Sequence, residues 1–416
     1  VKSGASSCPL DTLLSGGSPA PSSLLDDLER RGLDRISELS STPQDPIWHA
    51  EGSVRIHTEM VVAESYKIAQ ESALDLATRT ALVLSAALHD IGKTSTTREE
   101  LRDGVTRIIS PRHARVGRSY LALRLPYLNL SESLYTKILG CVGHHHDLKS
   151  MILKDSPNHL YARLSRSLDL HLGYLLELAD IRGRECLDPG SQIEYLELFR
   201  LAAIESGAWQ KDPYHQWQDR IADQLGNNED EVHYAFLESR RAFEEGLIAT
   251  PEEGVSRCYG WKKNTEHAEL ILTCGTAGSG KTTWIRKHAL GHEIISLDHL
   301  REEISGKRDD QSKNGQVFQL AKERLKDALR RRVSIVWDAT SLRSDGRSQV
   351  LGLGHDYHAA TRLITFATTP KSANRQNKAR QHPIPTSVLE RQIDRLEWPF
   401  IWEAHEVTTV IPPQSK

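Results

Sequence analysis

Residues 275–282 read Gly-Thr-Ala-Gly-Ser-Gly-Lys-Thr, and a second threonine, Thr283, follows. Glycines reach backbone torsions that a Cβ forbids, so successive N–H groups can turn inward around phosphate oxygens. An apolar run, Leu270 to Cys274, precedes the glycines, and a helix-forming segment comes after them. This strand–loop–helix context is what the G-x-x-x-x-G-K-[ST] pattern needs, and the helix aims its positive dipole end at the same anion. The pattern predicts that Gly275, Gly278, Ser279, Gly280, Lys281, Thr282 and Thr283 hold the phosphates of ATP or another nucleoside triphosphate. Lys281 would reach the β- and γ-phosphates, and the Thr282 hydroxyl would bind Mg²⁺.

A second set of residues could do different chemistry. The chain has 19 histidines, and nine fall between residues 46 and 190. His57, the pair His89-Asp90 and Asp180 lie on three separate helix-like segments that could deliver them to one spot. Histidine and carboxylate ligands without cysteine suit a catalytic centre that keeps water on its metal, with Mn, Co, Ni, Fe or Zn as candidates. Taken singly, each histidine is better read as a hydrogen-bonded core or surface residue.

The elements that must position these residues differ between the two halves. A length of 416 residues predicts two or three domains. The first stretch, VKSGASSCPLDTLLSGGSPAPSS, reads as a disordered leader, and residues 24–40 as a short amphipathic helix. From Ser53 the pattern is helical. The segment ATRTALVLSAALHD is apolar nearly all round, which predicts a central helix. No strand alternation is evident before residue 260, so the first module is expected to be all-α. Residues 190–262 are helical and charged and read as a spacer. Trp209, Tyr214, Trp217 and Tyr234 in this region are better suited to core packing than to stacking on bases.

Beyond residue 264 strands and helices alternate, which predicts a parallel sheet with its ligands at the carboxyl edge. Asp298 follows the second strand, with Arg301 one helical turn on. Asp298 can serve as a general base, and Arg301 can fix a phosphate of the acceptor. Asp338 ends the third strand, in the place of a carboxylate that orients Mg²⁺. Arg375 and Arg380 lie where a lid could close on the triphosphate. The fold class is therefore multidomain: an all-α module, then an α/β P-loop module with a parallel sheet. The expected boundaries are 1–45 for leader and short helix, 46–189 for the helical domain, 190–263 for the linker and 264–416 for the P-loop domain.

Net charge is −3 but uneven: residues 264–416 carry 23 Lys+Arg against 18 Asp+Glu, and the rest carry 30 against 38. The basic half could welcome a polyanion. The five cysteines form no C-x-x-C pair, which suits a reducing compartment and argues against a zinc ribbon. No run approaches the ~20 apolar residues of a membrane span. The expected location is the cytoplasm, with no membrane partner.

His57, His89-Asp90-Ile91-Gly92-Lys93 and Asp180 resemble the H…HD…D signature of the HD phosphohydrolase superfamily. PQDPIWHAEGSVRIHTEMV, RHARVGRSYLALRL and ADIRGRE further resemble the HD domain of bacterial CCA-adding tRNA enzymes, over roughly residues 43–186. The resemblance implies a metal on His57, His89, Asp90 and Asp180, and phosphomonoesterase or 2′,3′-cyclic phosphodiesterase activity on RNA ends. It also implies that Lys93 contacts substrate phosphate, and that His113, His144 and His145, with His146 next to them, supply a second metal or bind phosphate. Residues 264–416 resemble the 5′-hydroxyl polynucleotide kinases. GSGKT, Asp298-His-Leu-Arg301, WDAT at 337–340, Asn377-Lys-Ala-Arg380, V-L-x-x-Q and EWPF…EAHEV stand in the same order. That resemblance implies Lys281 and Arg380 on the β/γ-phosphates, Thr282 on Mg²⁺, Asp298 as base and Arg301 on the acceptor's 3′-phosphate. Arg375 stands one step from where a second lid arginine would be expected. Arg343 and Arg347 could touch the acceptor but have no firm counterpart.

A metal phosphohydrolase fused to a polynucleotide kinase resembles the bacterial enzymes that heal both ends of broken RNA. The resemblance implies RNA or DNA ends as substrates and a separate RNA ligase downstream. Two other classes stay open: a small-molecule nucleoside or nucleotide kinase fused to an HD nucleotidase, and a nucleotide sensor.

Overall fold

The computed structural model describes residues 8–226, 228–259, 267–307 and 312–412. The start of the P-loop module, placed at 264 from the sequence, and the first seven residues of the leader lie outside these. The chain divides into two compact units that meet between Pro213 and Tyr214, inside the stretch read as a linker.

The first unit is a helical bundle with one hairpin. Its helices are α1 (Pro9–Leu14), α2 (Pro21–Arg30), α3 (Val54–Glu71), α4 (Leu76–Leu88), α5 (Lys93–Thr96), α6 (His113–Ala122), α7 (Glu132–His144), α8 (Asp147–Leu153), α9 (Asn158–Ser165), α10 (Leu170–Arg182) and α11 (Pro189–Glu205). Side-chain caps start the long ones: Ser53 on α3, Asp75 on α4, Ser131 on α7 and Asp169 on α10 each accept a backbone N–H of the first turn. Helix α4 is buried without interruption from Thr80 to Leu88 and packs against α3, α7 and α10. Its apolar circumference therefore does make it the central helix.

The single helix expected over 24–40 is instead α2 followed by a 3-10 helix over Asp34–Ser40. Two larger features also differ from the sequence reading. The segment expected to be a disordered leader is ordered from residue 8. Leu10 and Leu13 of α1 are fully buried, and the buried Asp27 carboxylate accepts the Leu10 N–H at 3.0 Å, tying α1 to α2. The composition suggested disorder because two leucines suffice to anchor so short a helix. The second feature is an antiparallel hairpin of β1 (Arg98–Arg102) and β2 (Val105–Ile109). Its turn is Asp103-Gly104, both at positive φ, the dipeptide that two-residue hairpin loops prefer.

The second unit opens with α12 (Trp217–Leu225), α13 (Glu229–Glu244) and α14 (Pro251–Tyr259), which pack on one another. Tyr214, Trp217 and Tyr234 are buried. Then come β3 (Glu269–Cys274), α15 (Lys281–His288), β4 (Glu293–Ser296), α16 (Leu297–Ser305), α17 (Asn314–Arg330), β5 (Ile335–Asp338), α18 (Ser344–Asp356), β6 (Ala360–Phe366), α19 (Pro370–Lys378), α20 (Thr386–Asp394) and β7 (Glu406–Val410). The five strands pair in the order β4-β5-β3-β6-β7, all parallel. Leu272 lies opposite Trp337 and Ser296 opposite Asp338, so β3, β4 and β5 end at one edge. Ile271, Val336, Ile364 and Phe366 form the core with Ile285 of α15 and Ala289 just after it. Helix α13 is bound to this sheet: His405 Nε2 lies 3.0 Å from Glu238, Arg240 donates to the His405 carbonyl at 2.7 Å, and Tyr234 stacks on His267.

Candidate functional sites

In the first unit the ligands predicted from sequence converge. His57 comes from α3, His89 and Asp90 from the end of α4, and Asp180 from the last turn of α10. All four are buried. His57 Nε2 lies 2.9 Å from Asp180 Oδ1 and 3.6 Å from Asp90 Oδ2. His89 Nε2 lies 3.3 Å and 3.9 Å from the same two oxygens, in the opposite order. His113 joins from the start of α6, with Nε2 3.2 Å from Asp90 Oδ1. Gly92 makes this crossing possible, since a Cβ there would stand 2.1 Å from the His113 carbonyl oxygen.

The histidine run at the end of α7 splits. His145 Nε2 is 3.0 Å from His113 Nε2, and His146 Nε2 is 3.1 Å from it. His144 turns away and is a correction to the sequence reading. Its Nδ1 meets Asp147 at 2.7 Å and its Nε2 meets Ser167 at 2.9 Å, so neither ring nitrogen is left for a cation. Successive residues at a helix end point in different directions, so three adjacent histidines cannot share one centre.

The tautomers follow from the partners. The Nδ1 atoms of His89, His113 and His145 contact the carbonyls of Ala86, Ser110 and Val142 at 2.8, 2.8 and 2.9 Å. A carbonyl only accepts, so each Nδ1 carries the hydrogen and each Nε2 presents a lone pair. Lone pairs 3.0 Å apart on His113 and His145 repel unless positive charge lies between them. Nε2 of His57 and His89, Oδ2 of Asp90 and Oδ1 of Asp180 are likewise buried without an aligned hydrogen bond. These residues fit a divalent cation. Asp90 turns one oxygen to His57 and His89 and the other to His113 and His145, as a carboxylate shared by two cations would.

The electrostatics agree. Burial alone would raise the Asp90 carboxyl, but His89 and Lys93 hold it well below the usual range. Burial likewise opposes, and Arg184 and His57 outweigh it, in keeping Asp180 ionised. Burial, with His113 and His89 adding to it, pushes His145 down to about 3, which keeps the ring neutral and able to ligate. Lys93 Nζ sits 2.7 Å from Asp90 Oδ2 and 2.8 Å from Gln44 Oε1, at the edge of the cluster.

In the second unit the loop after β3 leads into α15. Gly278 has φ +71°, and a Cβ there would stand 2.4 Å from the Ala373 carbonyl oxygen of α19. Ala277 donates to Gln392 Oε1 of α20 at 2.8 Å, and Ala277, Ala373 and Leu389 form a small core beneath. Gln392 is the last residue of the V-L-x-x-Q element. Asn377 brackets the loop after α19 by exchanging two hydrogen bonds with Ile384. Gly275 follows β3, Gly280 caps α15 in the left-handed region, and Ser279 is buried against Gly275. Thr282 and Thr283 are exposed in the first turn of α15.

Lys281 folds back onto the loop, donating to the carbonyls of Gly275 at 3.0 Å and Thr276 at 2.8 Å. Burial lowers it to about 8, with Asp338 opposing and Arg380 adding to the shift. Asp338 ends β5, and burial, with Lys281 opposing and Asp298 adding, raises its carboxyl. Asp298 stands exposed in the first turn of α16 and is ion-paired to Arg301, which also donates to Asn314 at 3.0 Å. Arg380 is exposed beyond α19, and its charge acts on both Lys281 and Asp338. Arg375 is exposed on α19. Arg343 pairs with Asp345 on the surface. Arg347 cannot touch an acceptor: it is fully buried and grips Glu403 with two nitrogens, at 2.6 and 2.9 Å.

Residues 54–180 match the family model described as the HD domain, and residues 270–399 match one described as an AAA domain. The chain carries an HD domain followed by a P-loop kinase-like domain. No curated protein matches it. The pair fits a fused hydrolase and kinase, and the two sites fit a divalent metal in the HD domain and a nucleotide with Mg²⁺ in the P-loop domain. Among the described residues, no helix is long and apolar enough to cross a membrane.

Sequence reasoning missed Glu51 and Arg184. Arg184 is ion-paired with Asp180. Glu51 lies 3.0 Å from His57 Nδ1. Arg184 stands four residues past Asp180, one helical turn, and that spacing is the signal that could have found it.

Proposed function

We propose that this chain heals both ends of broken RNA. The HD domain would remove a 2′,3′-cyclic phosphate or a terminal 2′- or 3′-phosphate, and the P-loop domain would phosphorylate a 5′-hydroxyl. The observation that carries this reading is the pairing, in one chain, of a buried His/Asp cage with a P-loop module in which the exposed Asp298 carboxylate is ion-paired to a half-buried Arg301. The exposed Asp298 carboxylate is open to a large acceptor, and the order of motifs resembles polynucleotide kinases.

In the kinase step Lys281 leaves the loop carbonyls for the β- and γ-phosphates. Asp298 takes the proton of the 5′-hydroxyl as that oxygen bonds to the γ-phosphorus and the β–γ bridge breaks. Arg301 exchanges Asp298 for an acceptor phosphate, and Arg380 closes from the loop after α19. Asp338 orients Mg²⁺ together with Thr282. In the HD domain, His57, His89, Asp90 and Asp180 hold one divalent transition metal, and His113, His145 and His146 with Asp90 offer a second place. A cation bound there supplies Lewis acidity toward a phosphoryl oxygen and acidifies water. Lys93 neutralises a phosphate oxygen at the rim. One water opens the cyclic ester at one P–O bond and a second cleaves the remaining ester bond, releasing inorganic phosphate and leaving 2′- and 3′-hydroxyls. Ends finished this way are substrates for a separate ligase, and DNA ends would be accepted by the same kinase chemistry.

The test is RNA carrying a 5′-hydroxyl and a 2′,3′-cyclic phosphate, incubated with nucleoside triphosphate, Mg²⁺ and Mn²⁺, with both ends analysed. Conversion to 5′-phosphate and 3′-hydroxyl is expected. Preference for free nucleosides over oligonucleotides would replace this reading with that of a small-molecule kinase and nucleotidase.

A further inference from the structure

We propose that Glu51 is the positioning residue of the HD cage, setting the tautomer of His57 and supplying charge that raises metal affinity. The inference rests on the metal reading of that site. His89, His113 and His145 have their Nδ1 atoms held by neutral backbone carbonyls. His57 differs. Its ring is fully buried, and the polar neighbour of its Nδ1 is Glu51 Oε1 at 3.0 Å. The same oxygen accepts from His49 Nδ1 at 2.8 Å. Oε2 accepts the Glu185 N–H at 3.0 Å, and the Ala50 N–H reaches the Glu185 carbonyl, also at 3.0 Å. Two hydrogen bonds, from His49 and the Glu185 N–H, thus hold the carboxylate with Oε1 facing His57 Nδ1.

His49, Glu51 and His57 also have the composition of a small cation site. Their geometry argues otherwise. Glu51 Oε1 accepts from His49 and faces His57 Nδ1 at 3.0 Å, Oε2 accepts a backbone N–H, and the other nitrogen of His57 faces Asp180 and Asp90 instead. Charge points the same way. Asp90 is paired with Lys93 and Asp180 with Arg184. Among the described residues, Glu51's ion-pair partners are the two imidazoles. Its negative charge is therefore not cancelled by a lysine or arginine and is felt through the His57 ring by a cation on Nε2. A carboxylate behind a ligating histidine raises its basicity and fixes its orientation, and losing it costs about 10–100-fold in affinity.

The test uses the full chain stripped of metal and titrated with Mn²⁺ alone by calorimetry, for Glu51→Gln and Glu51→Ala. Glutamine keeps the shape and an acceptor oxygen but removes the charge. The affinity of both variants should fall by about 10–100-fold, with metal-free Glu51→Gln still unfolding in one cooperative transition. In a phosphatase assay the Mn²⁺ concentration for half activity should rise by the same factor, while activity at saturating Mn²⁺ returns to the level of the unaltered protein. Unchanged Mn²⁺ affinity overturns the proposal. So does activity that stays low at saturating metal, which would put Glu51 on the substrate. A Glu51→Gln protein that no longer folds overturns it as well. Failure of the unaltered protein to bind Mn²⁺ removes the metal reading itself. Binding with no activity on RNA removes only the RNA reading and leaves this inference standing.

Discussion

Replacing Arg347 with methionine separates a structural arginine from a substrate-binding one. Arg347 is fully buried on α18, and its guanidinium meets Glu403 with two nitrogens. The third, Nη1, donates to the carbonyls of Ser341 at 3.0 Å and Leu342 at 3.1 Å. Methionine fills most of the volume but leaves a largely buried carboxylate and two carbonyls without their donor. Breaking one side of a buried, hydrogen-bonded ion pair costs about 3–5 kcal/mol. For a unit of some 200 residues each kcal/mol moves the midpoint by about 2–4 °C, so the expected drop is about 6–20 °C. Differential scanning calorimetry measures it on the full chain. Kinase kinetics taken well below the variant's midpoint should show acceptor and nucleotide KM within about twofold of the original, since no transition-state contact is lost. Arg347→Met/Glu403→Leu should recover part of the loss, because it removes the stranded charge. An unchanged midpoint with an acceptor KM raised tenfold or more would refute the reasoning.

Three further outcomes follow from the two sites. Asp90→Ala should abolish phosphate removal and spare the kinase, and Lys281→Ala should do the reverse, each by at least about a hundredfold in kcat/KM; loss of both activities from either change would contradict separate sites. His144→Ala should leave Mn²⁺ affinity within about threefold of the original, while His57→Ala should lower it by at least about a hundredfold, as measured by calorimetry. Lys281, lowered to about 8 by burial, loses its charge in the free protein as pH rises, and a bound triphosphate restores it. Nucleotide affinity should therefore fall about tenfold per pH unit from about pH 8.5 to about pH 9.5, whereas Lys281→Arg should give a flat profile over the same range.

The P-loop could be read from sequence because its chemistry is contiguous: glycines, lysine and threonine act through backbone torsions fixed within eight residues. The parallel sheet could be read for a similar reason, since short apolar runs alternate with helices. The HD ligands were named from a pattern spread over more than a hundred residues, and folding brings those residues into one cluster. What stayed hidden depends on orientation. His144, His145 and His146 are chemically identical, and only the turn of the chain past α7 decides which of them face Asp90. Glu51 lies in a loop with no periodicity, and its role comes from the Glu185 backbone, 134 positions away in sequence. Arg347 was expected to be within reach of the acceptor, because a buried arginine is recognisable only once its Glu403 partner, 56 positions away, is in view.

The lock between α13 and the sheet has a practical bearing on how the two chemistries can be taken apart. A fragment begun at residue 264, the boundary expected from the sequence, would leave His405 without the Glu238 carboxylate and His267 without its stacking ring. Cutting ahead of Tyr214 keeps these contacts whole. Engineers who wish to pair this kinase with a different hydrolase should treat the three helices as part of its scaffolding and move them with it.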